Sequence, residues 1–217
     1  MRRLIELIDR FRHNERGNAA VEFALIIPFL ITLYFGSLEG GAAFMADKRV
    51  NSISSTVGDL VGQWDPDHDG TNGNGILTTT TTGTLTGYFA AATGILAPYP
   101  TTGLKIVVSL VWVKADGTTK VIWSRSNDSV NVPARTQGVA FTPLSTANSP
   151  EMNSTARGGC VIASEVSYSY KPLLGVVFNT TLNLSHTNYF IPRYGATNTI
   201  KVDSPTVAST SCTTGVY

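Results

Sequence analysis

This sequence predicts an α+β fold in which a long N-terminal transmembrane helix continues into an exported head carrying an antiparallel sheet of about four strands. Three observations point there. From Asn18 to Leu38 the only ionisable side chain is Glu22. Beyond Arg49, apolar residues recur at steps of three and four. From Leu104 onward the chain is rich in alternating or continuous Val, Ile, Leu, Tyr and Trp, with turn signals between the runs.

The span comes first. At about 1.5 Å of rise per residue, residues 18–38 cover roughly 30 Å, the thickness of a bilayer's hydrocarbon core. Arg2, Arg3, Arg10, Arg12 and Arg16 precede it, and Glu39 and Asp47 follow it, before Lys48 and Arg49. By the positive-inside rule the N-terminus is cytoplasmic and the bulk of the chain lies outside. Three parts result: a leader over 1–17, a transmembrane helix over 18–46 and an exported head over 47–217. Leu4, Leu7, Ile8 and Phe11 give the leader one apolar face. It reads equally as an amphipathic helix on the inner leaflet and as an unstructured basic tail. A conventional secretory signal, cut among the small residues Gly36 to Ala43, is the competing reading of the span. The lone Glu22 inside the apolar run argues against it.

The helix does not stop at the membrane. Val50, Ile53, Val57, Leu60, Val61 and Trp64 form a stripe, and Asp65-Pro66 ends it. Unbroken from 18 to 64, it would measure about 70 Å, with a kink expected at Pro28. A polar loop over 65–83 follows. A second helix is expected over Leu85 to Leu96, where Leu85, Tyr88, Phe89, Ala92 and Leu96 share a face. Strands are expected over Leu104 to Lys114, Lys120 to Trp123, Cys160 to Tyr170 and Thr180 to Ile191. Asp116-Gly117 supplies the first hairpin turn. Helices followed by such strands suggest a sheet with helices on one face.

Composition narrows the function. The chain has 217 residues and a formal charge of +1, so nothing electrostatic draws it to nucleic acid. Only 14% of residues are charged, and Thr, Ser, Asn and Gly supply much of the polarity. No G-x-S-x-G, Walker A or H-E-x-x-H motif is present, and His13, His68 and His186 fall in different segments. No enzyme is expected. The two cysteines, Cys160 and Cys212, lie in the exported part with no CxxC, and a single disulfide is the simplest expectation there. No cofactor is expected beyond a weak calcium site at Asp65, Asp67 and Asp69, which with Gly70 imitate the start of an EF-hand loop. The strongest ligand of such a loop is missing, since its twelfth position is Ile76. Asn127, Asn153, Asn179 and Asn183 open N-x-[ST] sequons, as chance allows in so Asn- and Thr-rich a chain.

One short stretch carries more chemistry than the rest. Arg16-Gly17-Asn18-Ala19-Ala20-Val21-Glu22-Phe23 places a glycine at the edge of the span and a carboxylate five residues beyond it. A charge at that depth is costly and marks a function by default. The arrangement resembles a prepilin processing site: basic leader, glycine before the cut, glutamate at the fifth mature position. Extended through Ala24-Leu25, it is similar to the R-G-x-A-A-V-E-F-A-L signature of the TadE-like family of Flp/Tad type IV pilus proteins. Pro28 and Glu39 follow at family-like distances. Val121 to Ser124, Glu165 to Leu173 and Ile191-Pro192-Arg193 are similar to the family's weaker C-terminal pattern. Phe23 stands where major Flp pilins carry tyrosine.

The resemblance implies a pilin-like minor pilin or pseudopilin, initiating or capping a pilus at the bacterial inner membrane. It implies cleavage between Gly17 and Asn18 by a prepilin peptidase. It also implies an assembly role for Glu22 and Phe23, with other pilins, an inner-membrane assembly platform and the lipid bilayer as partners. The head would be periplasmic or displayed on an extracellular pilus. The competing function is an uncleaved, membrane-anchored binding module whose head takes cell wall, glycan or calcium.

Overall fold

The structure is a computed structural model that describes residues 17–65, 76–77, 84–172, 175, 179–193 and 200–202. Two compact units are distinguished, Met1–Phe44 with Lys171–Thr181 and Met45–Tyr170 with Leu182–Tyr217. The element order is α1 (Asn18–Gly62), β1 (Ile76–Leu77), α2 (Thr84–Ile95), β2 (Leu104–Val113), β3 (Thr119–Ser126), α3 (Pro150–Thr155), β4 (Cys160–Tyr170), β5 (Leu182–Phe190) and β6 (Lys201–Val202). The α+β class and the N-terminal helix of membrane-spanning character are as the sequence predicts. Among the described residues, α1 is the one helix long and apolar enough to cross a membrane.

In the first unit α1 exposes Val21, Phe23, Leu25, Ile26, Phe29, Leu30, Ile31 and Leu33. Its polar side chains turn inward on the helix itself. Thr32 Oγ1 donates to the Pro28 carbonyl and Ser37 Oγ to the Tyr34 carbonyl, each at 2.8 Å. Such back-bonding keeps hydroxyls satisfied where water is scarce. The helix is continuous through Pro28.

In the second unit the same helix buries Ala46, Val50, Ile53, Val57 and Val61 completely. This is the predicted stripe, with Leu60 and Trp64 at its half-buried margin. The helix ends at Gly62, two residues before Trp64. The Gly62 carbonyl accepts the Arg193 N–H, and Trp64 N–H reaches back only three residues to Val61, so the last turn tightens and closes.

The sheet order is β3-β2-β4-β5, all antiparallel. Leu104 pairs with Tyr168 and Trp112 with Cys160 across β2 and β4, while Ile162 pairs with Phe190 and Tyr170 with Leu182 across β4 and β5. β2 is central and buried on both faces from Val108 to Val113, which is why it reads as an apolar run interrupted there only by Ser109. Gly117 closes the β2–β3 hairpin with φ of +84°, and Asp116 Oδ1 accepts the Thr118 N–H. Any other residue would be strained at that backbone angle. β1 and β6 form a separate two-residue parallel pair. Trp123 of β3 is anchored by its Nε1–H, which donates to the Ile200 carbonyl at 2.7 Å.

The α1 face of the sheet is set by Ser54, Gly58 and Gly62. Ser54 Oγ donates to the Ser164 carbonyl at 2.7 Å, and a Cβ on Gly58 would stand 2.3 Å from the Phe190 ring. The opposite face is not bare, as a sheet with helices on one side only would have it. Residues 127–159 cross it, and Phe141, Leu144 and Ala156 pack on Val111, Val113, Val121, Val161 and Ala163. Nothing in the sequence announces this layer, because its contributors are single apolar residues without period in a polar segment. Asn153, a sequon residue, is buried there, with Nδ2 donating to the Gly117 and Leu144 carbonyls, so it is no glycan acceptor.

Candidate functional site

Gly17 and Asn18 stand at the N-terminal edge of α1. Gly17 is exposed, and nothing lies within 4 Å of where its Cβ would be. Asn18 is the first residue of the helix. The bond between them therefore lies where regular helix begins.

Glu22 lies one turn into α1 and is exposed, as is Phe23. The helix N-terminus carries partial positive charge from its unsatisfied N–H groups, which favours a carboxylate within the first turn or so. Position thus puts a carboxylate near the N-terminal end of an otherwise apolar stretch of helix. Glu39, which the sequence places just past the span, is only 4% exposed.

A second polar constellation was not foreseen as one. Along the second unit's part of α1, Asp47, Asn51 and Asp59 meet partners on or after β5. His186 Nε2 lies 2.7 Å from Asp47 Oδ1, Asn188 Nδ2 donates to Asn51 Oδ1 at 3.1 Å, and Arg193 donates to Asp59 Oδ1 at 2.7 Å. The sequence alone offers His186 no partner, and the structure supplies one in Asp47. The signal was present: Asp47 and Asn51 are one helical turn apart, and His186 and Asn188 are two apart on a strand. On the other face Arg135 grips Glu165 with two bonds, Nε to Oε2 at 3.0 Å and Nη2 to Oε1 at 2.5 Å, and lies over the Phe141 ring. The carboxylate raises the Arg135 pKa further. The first three contacts fasten α1 to β5 and the residues after it, and the last fastens a loop to the sheet. They are structural.

Cys160 is buried at the start of β4 and carries no free thiol, and Cys212 lies outside the described residues. Asp65 follows α1, whereas Asp67 and Asp69 lie outside the described residues. Among the described residues no group of three His, Cys, Asp or Glu side chains could hold a metal ion. The leader, Met1 to Arg16, is likewise outside them.

Residues 17–58 match the family model described as TadE-like protein. The matched stretch begins at Gly17, contains Glu22 and Phe23, and runs to Gly58, the close-packing glycine of the helix–sheet contact. It agrees with the family that the N-terminal signature resembles, whose members are pilus-associated, and the apolar helix within it is consistent with a single-pass membrane anchor. The match stops short of the sheet. No curated protein and no solved structure matches the chain.

Proposed function

We propose that this chain is a minor pilin or pseudopilin of a Flp/Tad type IV pilus, cut between Gly17 and Asn18 and acting at initiation or at the tip. The observation that carries the reading is the coincidence of Gly17, Glu22 and a membrane-type helix within one matched segment. The arginines before the span support an N-terminus in the cytoplasm and a head in the periplasm or on the pilus. A prepilin peptidase releases the leader, and the new α-amine on Asn18 is a cation at the membrane edge. The bilayer holds the subunit until it docks on the inner-membrane assembly platform with other pilins. The carboxylate of Glu22 then pairs with the α-amine of a neighbour, which fixes their axial register. The exposed Phe23 and Leu25 supply apolar contact around that pair. In this reading the head is further tied by a Cys160–Cys212 disulfide formed after export.

The test separates processing from assembly. In Glu22→Ala the scissile bond and leader are intact, so the chain is cut. The neighbour's amine is left unpaired in a poorly solvated site, at a cost of about 2–5 kcal/mol, and pili do not form. Cleaved subunits collect in the membrane fraction. Normal pili on Glu22→Ala cells would overturn the docking role and favour the anchored binding module.

A further inference from the structure

A groove of about 580 Å³ crosses the sheet face away from α1, between strands β2, β4 and β5 and the segment 132–140. Its size falls among small-molecule sites, roughly 300–1,000 Å³. Two rows of paired residues make the floor. Lys105, Ser167 and Ser185 form the first, and Val107, Glu165 and Thr187 the second. At about 4.8 Å between strands, each row is roughly 10 Å wide. The pairing of β4 with both neighbours is regular through these rows, so the floor is a fixed array. The wall is held as well. Val132 N–H donates to the Asp128 carbonyl and Gly138 N–H to the Val121 carbonyl.

The second observation is which polar groups the fold leaves over. Arg135 and Glu165 neutralise one another, and the imidazole of His186 lies against Asp47. Lys105 is exposed and has no hydrogen-bond or ion-pair partner among the described residues. The hydroxyls of Ser167, Ser185, Thr187 and Thr136 also bond to none of them, and none of these four residues is buried. Elsewhere hydroxyls are put to use: Ser109 donates to Ser124 Oγ, Ser54 to the Ser164 carbonyl and Thr119 to the Phe141 carbonyl. The groove thus offers one free ammonium and four free hydroxyls at positions a solute can reach. Among the described residues no Phe, Tyr or Trp lines it.

We propose that this groove binds a phosphodiester of an open-chain polyol, the glycerol phosphate class, with the phosphate on Lys105 and the polyol on Ser167, Ser185 and Thr187. One unpaired cation matches one negative charge, which is what a phosphodiester carries. Lysine is a compact point charge and suits a tetrahedral phosphate. A carboxylate is better matched by a guanidinium fork, and the fork here is already on Glu165. Serine and threonine hydroxyls donate and accept, as polyol hydroxyls do. With no aromatic ring in the lining, nothing stacks on a base, so the groove favours an open chain over a nucleotide. The same chemistry occurs in a lipid headgroup and in a free polyol phosphate. The site lies wholly in the second unit and does not depend on cleavage at Gly17 or on pilus assembly.

The test uses the full chain in a polyoxyethylene detergent, which carries neither phosphate nor sugar. It is titrated by calorimetry with glycerophosphoglycerol, with the neutral diglycerol and with methyl glucuronide. Glycerophosphoglycerol binds, diglycerol binds at least about tenfold more weakly, and the glucuronide several-fold more weakly. Lys105→Gln weakens glycerophosphoglycerol binding about tenfold. The double variant Ser167→Ala with Ser185→Ala weakens it several-fold. Both leave the melting temperature unchanged, because no bond within the protein is lost. Arg157→Gln, which removes an exposed charge outside the groove, leaves binding unchanged. Phosphatidylglycerol in mixed micelles separates the two sources: competition assigns the site to a lipid headgroup, and no competition assigns it to a free polyol phosphate. Absence of binding, equal binding of diglycerol or of the glucuronide, or an unaffected Lys105→Gln protein would each overturn the proposal.

Discussion

The two stretches of α1 carry the same kinds of residue and do opposite things with them. In the first unit Leu25 is 76% exposed and Phe29 67% exposed, while in the second Val50, Ile53 and Val57 are wholly buried. Apolar content therefore does not report which solvent a helix is made for. What differs is the pattern around it. Apart from Glu22 and Thr32, residues 19–35 are apolar all round, which suits lipid on every side. Residues 46–61 have a stripe, with Lys48, Ser52, Ser55 and Thr56 exposed on the other side. The small residues Ser54, Gly58 and Gly62 let a sheet approach the stripe closely.

A polar side chain placed in each stretch breaks this comparison with the largest expected effect. Val57→Asp puts a carboxylate without a partner against the sheet and costs about 3–5 kcal/mol, enough to unfold the head. Leu25→Asn leaves head stability within about 0.5 kcal/mol and alters only retention in the membrane. Thermal unfolding followed by Trp fluorescence distinguishes them, since all three tryptophans lie beyond the span. Equal losses from both would show that the first stretch also packs in a protein core.

On the proposed reading, the second unit differs from the span in a second way, through a covalent tie between Cys160 and Cys212. Cys160→Ser opens a loop of about 50 residues and removes roughly 4 kcal/mol in the chain-entropy account. Non-reducing mass analysis of exported protein should find the mass two hydrogens below the dithiol form. Two free thiols would sink the proposal.

Gly58 makes the smallest of these tests. Gly58→Ala drives a methyl into the Phe190 ring and the Ser164 Cβ, which would lie 2.3 and 3.1 Å away. The strand must shift, at about 1–3 kcal/mol. Gly40→Ala, where nothing lies within 4 Å, leaves stability unchanged or slightly raised through helix propensity. Denaturant melts of both variants read the difference directly.

Much of this fold was legible from the chain because its signals are local. β4 begins and ends where alternation of Ile162, Val166, Tyr168 and Tyr170 placed it. α2 is displaced by one residue at each end, within the fraying of any helix terminus. β3 runs beyond Trp123 to Ser126, since Ser124 and Ser126 look like turn residues in isolation and become strand only through pairing with Ser109 and Val107. The layer formed by Phe141, Leu144 and Ala156 gave no period to detect. The partner of His186 was not legible because Asp47 is far away in sequence, and only the return of β5 beside α1 brings them together. Gly17, Glu22 and the span needed no tertiary context. Their spacing is set along one helix, so the candidate site was more legible than the head that follows it.

The central claim is that the working protein begins at Asn18, with Glu22 as its fifth residue. N-terminal sequencing of the full-length gene product, purified from membranes of cells with an intact prepilin peptidase, tests it most directly. The account predicts Asn-Ala-Ala-Val-Glu, and in Gly17→Val a precursor that begins at Met1. Wild-type protein that still begins at Met1 would contradict it.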